Sequence, residues 1–341
     1  MDFAFTPEQD DLREVVRDFL TQHPVRSREP GSLDTGVWRR MAAELGLAGL
    51  AVPAEHGGAG GGLIELAVVA QELGRALTAV PLLGTALGGL LLPPGDQAAL
   101  ADGSTVVALH LAPGLTVADG AIDGQADAVI DGDIATLAVV EATGPEGTGL
   151  YAVSLAGIDR TASSTVDPSR PVATLSFAGA PATRLAVTPD EARDLLHLAL
   201  AAESLGVAAA SLELTIDYLR TRHQFGAPLA SFQALRHRVA DLAVTVEAAT
   251  STTWYGLRAE SAQRPVVAPM AKLVAADAAF AVTAESIQLH GGIGFTWEHD
   301  AHRYFKRATL NRLSHGDPLA LRRVIAERAG LFAPPAPENA A

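Results

Sequence analysis

The hydrophobic period of this chain changes twice, near residues 102 and 188, and these changes constrain its layout more than any single motif. Before the first change, apolar positions recur at helical spacing. Thr6, Pro7 and Gln9 make a helix start, with Thr6 as cap, Pro7 at the first helical position and Gln9 completing a capping box. Leu12, Val15, Val16, Phe19 and Leu20 then line one helical face. Further helices are expected over 37–45, 63–77 and 81–92, with Pro93, Pro94 and Gly95 ending helical structure. Between the two changes, short β-branched or alternating segments at 105–111, 137–141, 149–154 and 172–177 are separated by Gly, Asp and Pro turns. They read as a small antiparallel β-domain. Thr188-Pro189-Asp190-Glu191 then starts a long helix to about Arg220, and Ala-rich helical runs follow near 231–259, 266–290 and 318–331. The expected fold class is α+β. It comprises an N-terminal helical domain (1–101), a reduced antiparallel β-domain (102–187), a C-terminal four-helix bundle (188–332) and a disordered Pro-rich tail (333–341).

Composition narrows the function classes. The net charge of -14, from 25 basic and 39 acidic side chains, argues against a nucleic-acid or anionic-membrane surface, since both need concentrated Lys and Arg. The chain has no cysteine, which excludes disulfides, zinc thiolates and thiol nucleophiles and fits a cytoplasmic protein. The first residues carry neither a basic nor an apolar signal region, so no secretory signal is expected. The most apolar run, 77–92, is interrupted by Pro81, Gly84, Gly88 and Gly89. It is shorter than the ~20 residues a bilayer crossing takes and reads as a buried helix. The glycine loop at 57–62 lacks the lysine and spacing of a phosphate-binding loop and reads as a connection. Glu298, His299, His302 and His315 match no metal-ligand spacing, so no metal site is expected.

Two segments carry the chemistry. At the end of the long helix, Arg222 supplies a rigid set of N–H donors suited to a pyrophosphate. Gln224 adds an amide, Phe225 a ring face, and Gly226 the freedom for a sharp turn before Ala227-Pro228. Further on, Gln288 stands at a helix end, and Gly291, Gly292 and Gly294 leave backbone open to an anionic group. Read alone, those glycines also fit a simple helix stop.

The segments Tyr218–Gly226 and Gln288–Glu298, continued by Pro228-Leu229, Phe232-Gln233 and Arg236-His237, make the C-terminal third resemble an acyl-CoA dehydrogenase. Those enzymes bind FAD and oxidise the α,β bond of an acyl-CoA thioester. Helical, then β, then helical is also the order of their fold. The resemblance implies that Arg222, Gln224 and Phe225 reach across a dimer interface to the adenosine and pyrophosphate half of the other subunit's FAD. It likewise implies pyrophosphate contacts from Gln288 and Gly292.

The same resemblance exposes two departures. The family reaction needs a carboxylate within reach of the substrate's α proton. In one branch that Glu precedes Gly-Thr after an Arg-rich helix, and here His315 stands in its place, in Leu313-Ser314-His315-Gly316-Asp317. In another branch the Glu lies early in the long helix, where this chain has Leu196, and Glu191 is more than a turn away. The family's middle-domain flavin loop and its Trp-Ile-Thr strand are also missing, the matching stretches being 109–117 and 127–130. The expected function is that of the short, non-catalytic subunit of a heteromeric bacterial acyl-CoA dehydrogenase. Such a subunit supports FAD in a longer catalytic partner that acts on a fatty or steroid side-chain acyl-CoA, with an electron-transfer flavoprotein as acceptor. Two alternatives stand beside it: a self-sufficient homomer with His315 or Asp317 as replacement base, and a non-redox structural or binding protein of the same fold.

Overall fold

Helix α1 (Pro7–Gln22) starts where the capping box requires, with the Thr6 hydroxyl accepting from the Gln9 amide and the Gln9 side chain accepting from the Thr6 amide. The computed structural model describes residues 4–25 and 27–332, so the proposed tail at 333–341 lies outside the described residues. Helix α2 (Thr35–Arg39), capped by Asp34, widens into a π-type turn over Arg40–Glu44. Helices α3 (Leu63–Ala76), α4 (Leu82–Leu91) and α5 (Pro94–Ala101) complete the first helical layer. Helix α5 corrects the expectation that helical structure stops at Pro93. Pro93 is the extended cap and Pro94 the first helical residue, a position proline favours because no N–H is needed there.

Six strands follow: β1 (Val107–Ala118), β2 (Ala121–Ile130), β3 (Leu137–Gly144), β4 (Gly147–Ser154), β5 (Asp159–Ser163) and β6 (Val172–Arg184). Their order is β2-β1-β3-β4-β6-β5, and a further β2–β6 pairing nearly closes the sheet into a barrel. All pairings are antiparallel except β1–β3, which is parallel, so the sheet is mixed where a wholly antiparallel one was expected. The β1–β3 register breaks between His110 and Leu115, and the bulged segment there forms one wall of the cavity described below.

The C-terminal layer consists of α6 (Pro189–Thr221), α7 (Gln233–Arg258), α8 (Arg264–His290), α9 (Ala301–Leu313) and α10 (Pro318–Arg328). Thr188 caps α6, with Glu191 completing its capping box. Helices α6 and α8 are apolar and long enough to cross a bilayer, but 89% of the apolar window of α6 is buried inside the protein, as in a core helix. The two helical layers meet where α3 crosses α6. A Cβ on Gly206 would lie 1.9 Å from the Gln71 carbonyl oxygen, and one on Gly74 would lie 2.1 Å from that of Glu203. Only glycine permits this approach.

A buried ion cluster ties all three layers together beside that crossing. Arg307 of α9, with no exposed surface, donates to Asp167 at 2.7 Å, to Glu203 of α6 at 2.7 Å and to the Thr78 carbonyl at 3.1 Å. Arg170, from the β5–β6 connection, also donates to Glu203, as does Asn311 at 3.3 Å. Burial works against the charge on Asp167, but Arg307 and Ser169 outweigh it and hold its carboxyl below the usual range.

Candidate functional site

Helix α6 ends at Arg222, whose backbone turns extended. The chain then forms a tight hairpin of β7 (His223–Gln224) and β8 (Ala227–Pro228). Phe225 and Gly226 occupy its turn with φ of 55° and 78°, the left-handed geometry a two-residue hairpin needs. A phenylalanine is strained in that geometry, and its ring is 91% exposed. One edge-to-face contact, with Phe232 at 6.1 Å between centroids, steadies it. Arg222 is pinned through its backbone to Tyr218 and Leu229, each bond 2.8 Å. Its side chain and that of Gln224 are exposed, and among the described residues no ion pair occupies the Arg222 guanidinium.

Helix α8 ends beside α6. Thr215 donates to Ser286 at 2.7 Å, and the Tyr218 and His290 rings lie 4.4 Å apart. Gln288, Gly291 and Gly292 are exposed there, and a Cβ added at either glycine would meet nothing within 4 Å. Arg222, Gln224, Phe225, Gln288 and Gly292 therefore project from one end of the bundle. An exposed guanidinium, open glycine backbone and an exposed ring suit a pyrophosphate carrying a flat heterocycle, approaching from outside.

The other candidate residues sit elsewhere. A cavity of about 840 Å³ opens between the β1 bulge, the start of α6, the α9–α10 loop and α10. Leu196 is buried. Asp317 is not free for proton transfer: it caps α10, accepting from Leu319 at 2.8 Å and Ala320 at 2.9 Å. The Ala320 and Leu319 amides outweigh what little burial it has and hold its carboxyl below the usual range. His315 lines the cavity with φ of 53°. Burial first, then His197 and Lys272, push its imidazole down to about 3. Glu191 is likewise consumed in the α6 capping box.

Residues 195–330 match the acyl-CoA dehydrogenase C-terminal domain, and residues 6–97 match the N-terminal domain. The chain is 42% identical to the acyl-CoA dehydrogenase IpdE2 of Mycobacterium tuberculosis, over 88% of this chain and 91% of that one. It belongs to the acyl-CoA dehydrogenase family. Among solved structures, a variant of the Tcur3481–Tcur3483 steroid ACAD superposes with a TM-score of 0.88 at 29% identity, covering 96% of this chain and 98% of that one. The ChsE4–ChsE5 complex of Mycobacterium tuberculosis superposes with a TM-score of 0.89 at 26% identity, covering 98% and 100% of the two chains.

The loop that carries His315 is held by its backbone. The buried Lys272 ammonium donates to the carbonyls of Arg312, at 3.3 Å, and Gly316. His197 binds the His315 carbonyl at 2.9 Å. Sequence reasoning missed both anchors, although a lone lysine in the Ala-rich α8 was a visible signal. Burial first, then Lys272, depresses the His197 imidazole to about 4. The folded chain thus binds fewer protons than the unfolded chain between about pH 6.5 and 4, so stability is full above that window and lost as pH falls through it. His197 accounts for about 2 kcal/mol of that loss between pH 7.5 and 5. Urea midpoints at the two pH values measure the total, and His197→Gln, which keeps a donor but does not titrate, should shrink the difference by about that amount, leaving the part due to His315.

Proposed function

We propose that this chain is the supporting subunit of a heteromeric FAD-dependent acyl-CoA dehydrogenase. In this reading it contributes Arg222, Gln224, Phe225, Gln288 and Gly292 to FAD held by a longer catalytic partner. The observation that carries it is the division of this chain's own parts. The side chains assigned to the outer half of FAD are exposed at one end of the bundle, whereas every carboxylate lining the cavity next to the base position already has a hydrogen-bond or ion-pair partner. Among the carboxylates lining that cavity, Asp190 is tied to Arg193 and Arg328, Glu327 to Arg323, and Asp127 accepts from Gln125 and Thr174.

Bound FAD would supply the hydride acceptor for α,β-dehydrogenation. Arg222 would neutralise its phosphate, Gln288 and the Gly292 backbone would donate to the pyrophosphate, and Phe225 would cover the adenosine. The partner would supply the base, the contacts to the flavin ring and the acyl-CoA site. The similarity to a steroid ACAD and to the ChsE4–ChsE5 complex supports a heteromer acting on a steroid-derived acyl-CoA. In this reading the acyl group is the steroid side chain and an electron-transfer flavoprotein accepts the electrons.

Purification alone and with a full-length acyl-CoA dehydrogenase partner tests this reading. The lone chain should be colourless, and the complex should be yellow and reduced by its acyl-CoA under anaerobic conditions. His315→Ala in the complex should retain most turnover. A yellow homomer bleached rapidly by acyl-CoA, with bleaching abolished by His315→Ala, would overturn the proposal in favour of the alternative base.

A further inference from the structure

Most charged groups around the cavity are paired with one another, yet the cavity is not filled. At about 840 Å³ it lies within the ~300–1,000 Å³ typical of small-molecule sites. Leu109, Leu111, Ile130, Leu310, Leu313 and Val324 make its walls mainly apolar. Both arginines in the lining are already paired. Arg193 meets Glu141 at 3.0 Å and Asp190 at 2.9 Å, and Arg328 meets Asp194 at 2.8 Å and Asp190 at 3.0 Å. A carboxylate or phosphate entering here would be desolvated without a free cation to meet it. For a ligand cation, Asp190 and Glu327 are already paired with arginines, and Asp127, which accepts only neutral donors, is exposed to solvent, where its attraction is screened.

Two polar side chains in the wall remain uncommitted. His110, on the β1 bulge, and His315, on the α9–α10 loop, both line the cavity, and neither ring hydrogen-bonds to another described residue. Burial lowers the pKa of both, which keeps them neutral near pH 7. A neutral imidazole has one N–H donor and one nitrogen acceptor, so the pair can serve a hydroxyl or a carbonyl.

We propose that this cavity binds an uncharged, largely apolar molecule bearing a hydroxyl or carbonyl group, held by hydrocarbon contacts and by His110 and His315. This site is separate from the FAD-contacting end of the bundle and takes neither a flavin nor a CoA ester. The proposal does not depend on the FAD assignment, and its test involves no flavin.

Isothermal titration of the full chain with 1-decanol, decanoate, decylamine and decanoyl-CoA compares one hydrocarbon under four head groups. Decanol should bind at least about tenfold more tightly than each charged probe, because unpaired charge is expensive to bury. Val324→Trp and Ala320→Trp, which fill the cavity from α10, should each weaken decanol binding about tenfold or more, and His110→Leu should weaken it severalfold. Circular dichroism melting identifies the variants that remain folded. The proposal is overturned by no decanol heat up to its solubility limit, by equal or tighter binding of any charged probe, or by wild-type decanol affinity in the folded variants.

Discussion

Glu203→Ala is expected to destabilise this protein by about 3–5 kcal/mol, the cost of removing one partner from a buried charge cluster. Glu203 is wholly buried and accepts from Arg170, Arg307 and Asn311, which arrive from the β-domain and α9. Its loss leaves two buried guanidinium groups, of which Arg307 keeps Asp167 at 2.7 Å while Arg170 loses its ion-pair partner among the described residues. Because whole domains are stable by only ~5–15 kcal/mol, this one change should consume a large part of the margin. Urea unfolding followed by circular dichroism is the measurement, with Arg323→Ala, which breaks only an exposed pair with Glu327 one helical turn away, as a control that should barely move the midpoint. A shift for Glu203→Ala no larger than the control's would show that the cluster does not hold the three layers together.

The cluster also shows where the sequence stops being legible. A single glutamate in the apolar run of α6 and a single lysine in that of α8 are visible as anomalies. Glu203 meets Arg307 and Asn311 at separations of 104 and 108 residues, Lys272 meets the Arg312 and Gly316 carbonyls at 40 and 44, and nothing local encodes those distances. Local signals were readable wherever their cause was local. The capping boxes at Thr6 and Thr188 and the end of α6 at Arg222 depend on residues within a turn of one another. Pro93-Pro94-Gly95 was ambiguous for a physical reason: a proline that ends one helix is equally suited to begin the next, and here it does both for α4 and α5. The parallel β1–β3 pairing is a property of strand order, which alternation within a strand cannot carry. The FAD-facing residues could be named because their motif is contiguous, while the cavity draws on the β-domain, α6, α9 and α10 and appears only once the chain is folded.

Arg222→Ala in the assembled complex should weaken FAD retention by about 1.5–3 kcal/mol, the worth of a hydrogen bond to a charged group, or roughly 10- to 150-fold in Kd. The size of the effect follows from the site's economy. The Arg222 backbone is fixed by Tyr218 and Leu229, and its guanidinium has no competing carboxylate among the described residues, so the interaction with phosphate is not discounted by a broken internal pair. Arg222→Lys should fall between wild type and Ala, because it keeps the charge but not the planar fork. Phe225→Gly separates recognition from folding at the same hairpin. Removing a strained φ of 55° and a ring that is 91% exposed should leave the chain's own stability unchanged or higher, while FAD retention falls. Equilibrium FAD titration, with native mass confirming intact assembly, decides both. Wild-type FAD affinity in an intact Arg222→Ala complex would remove this end of the bundle from the flavin site.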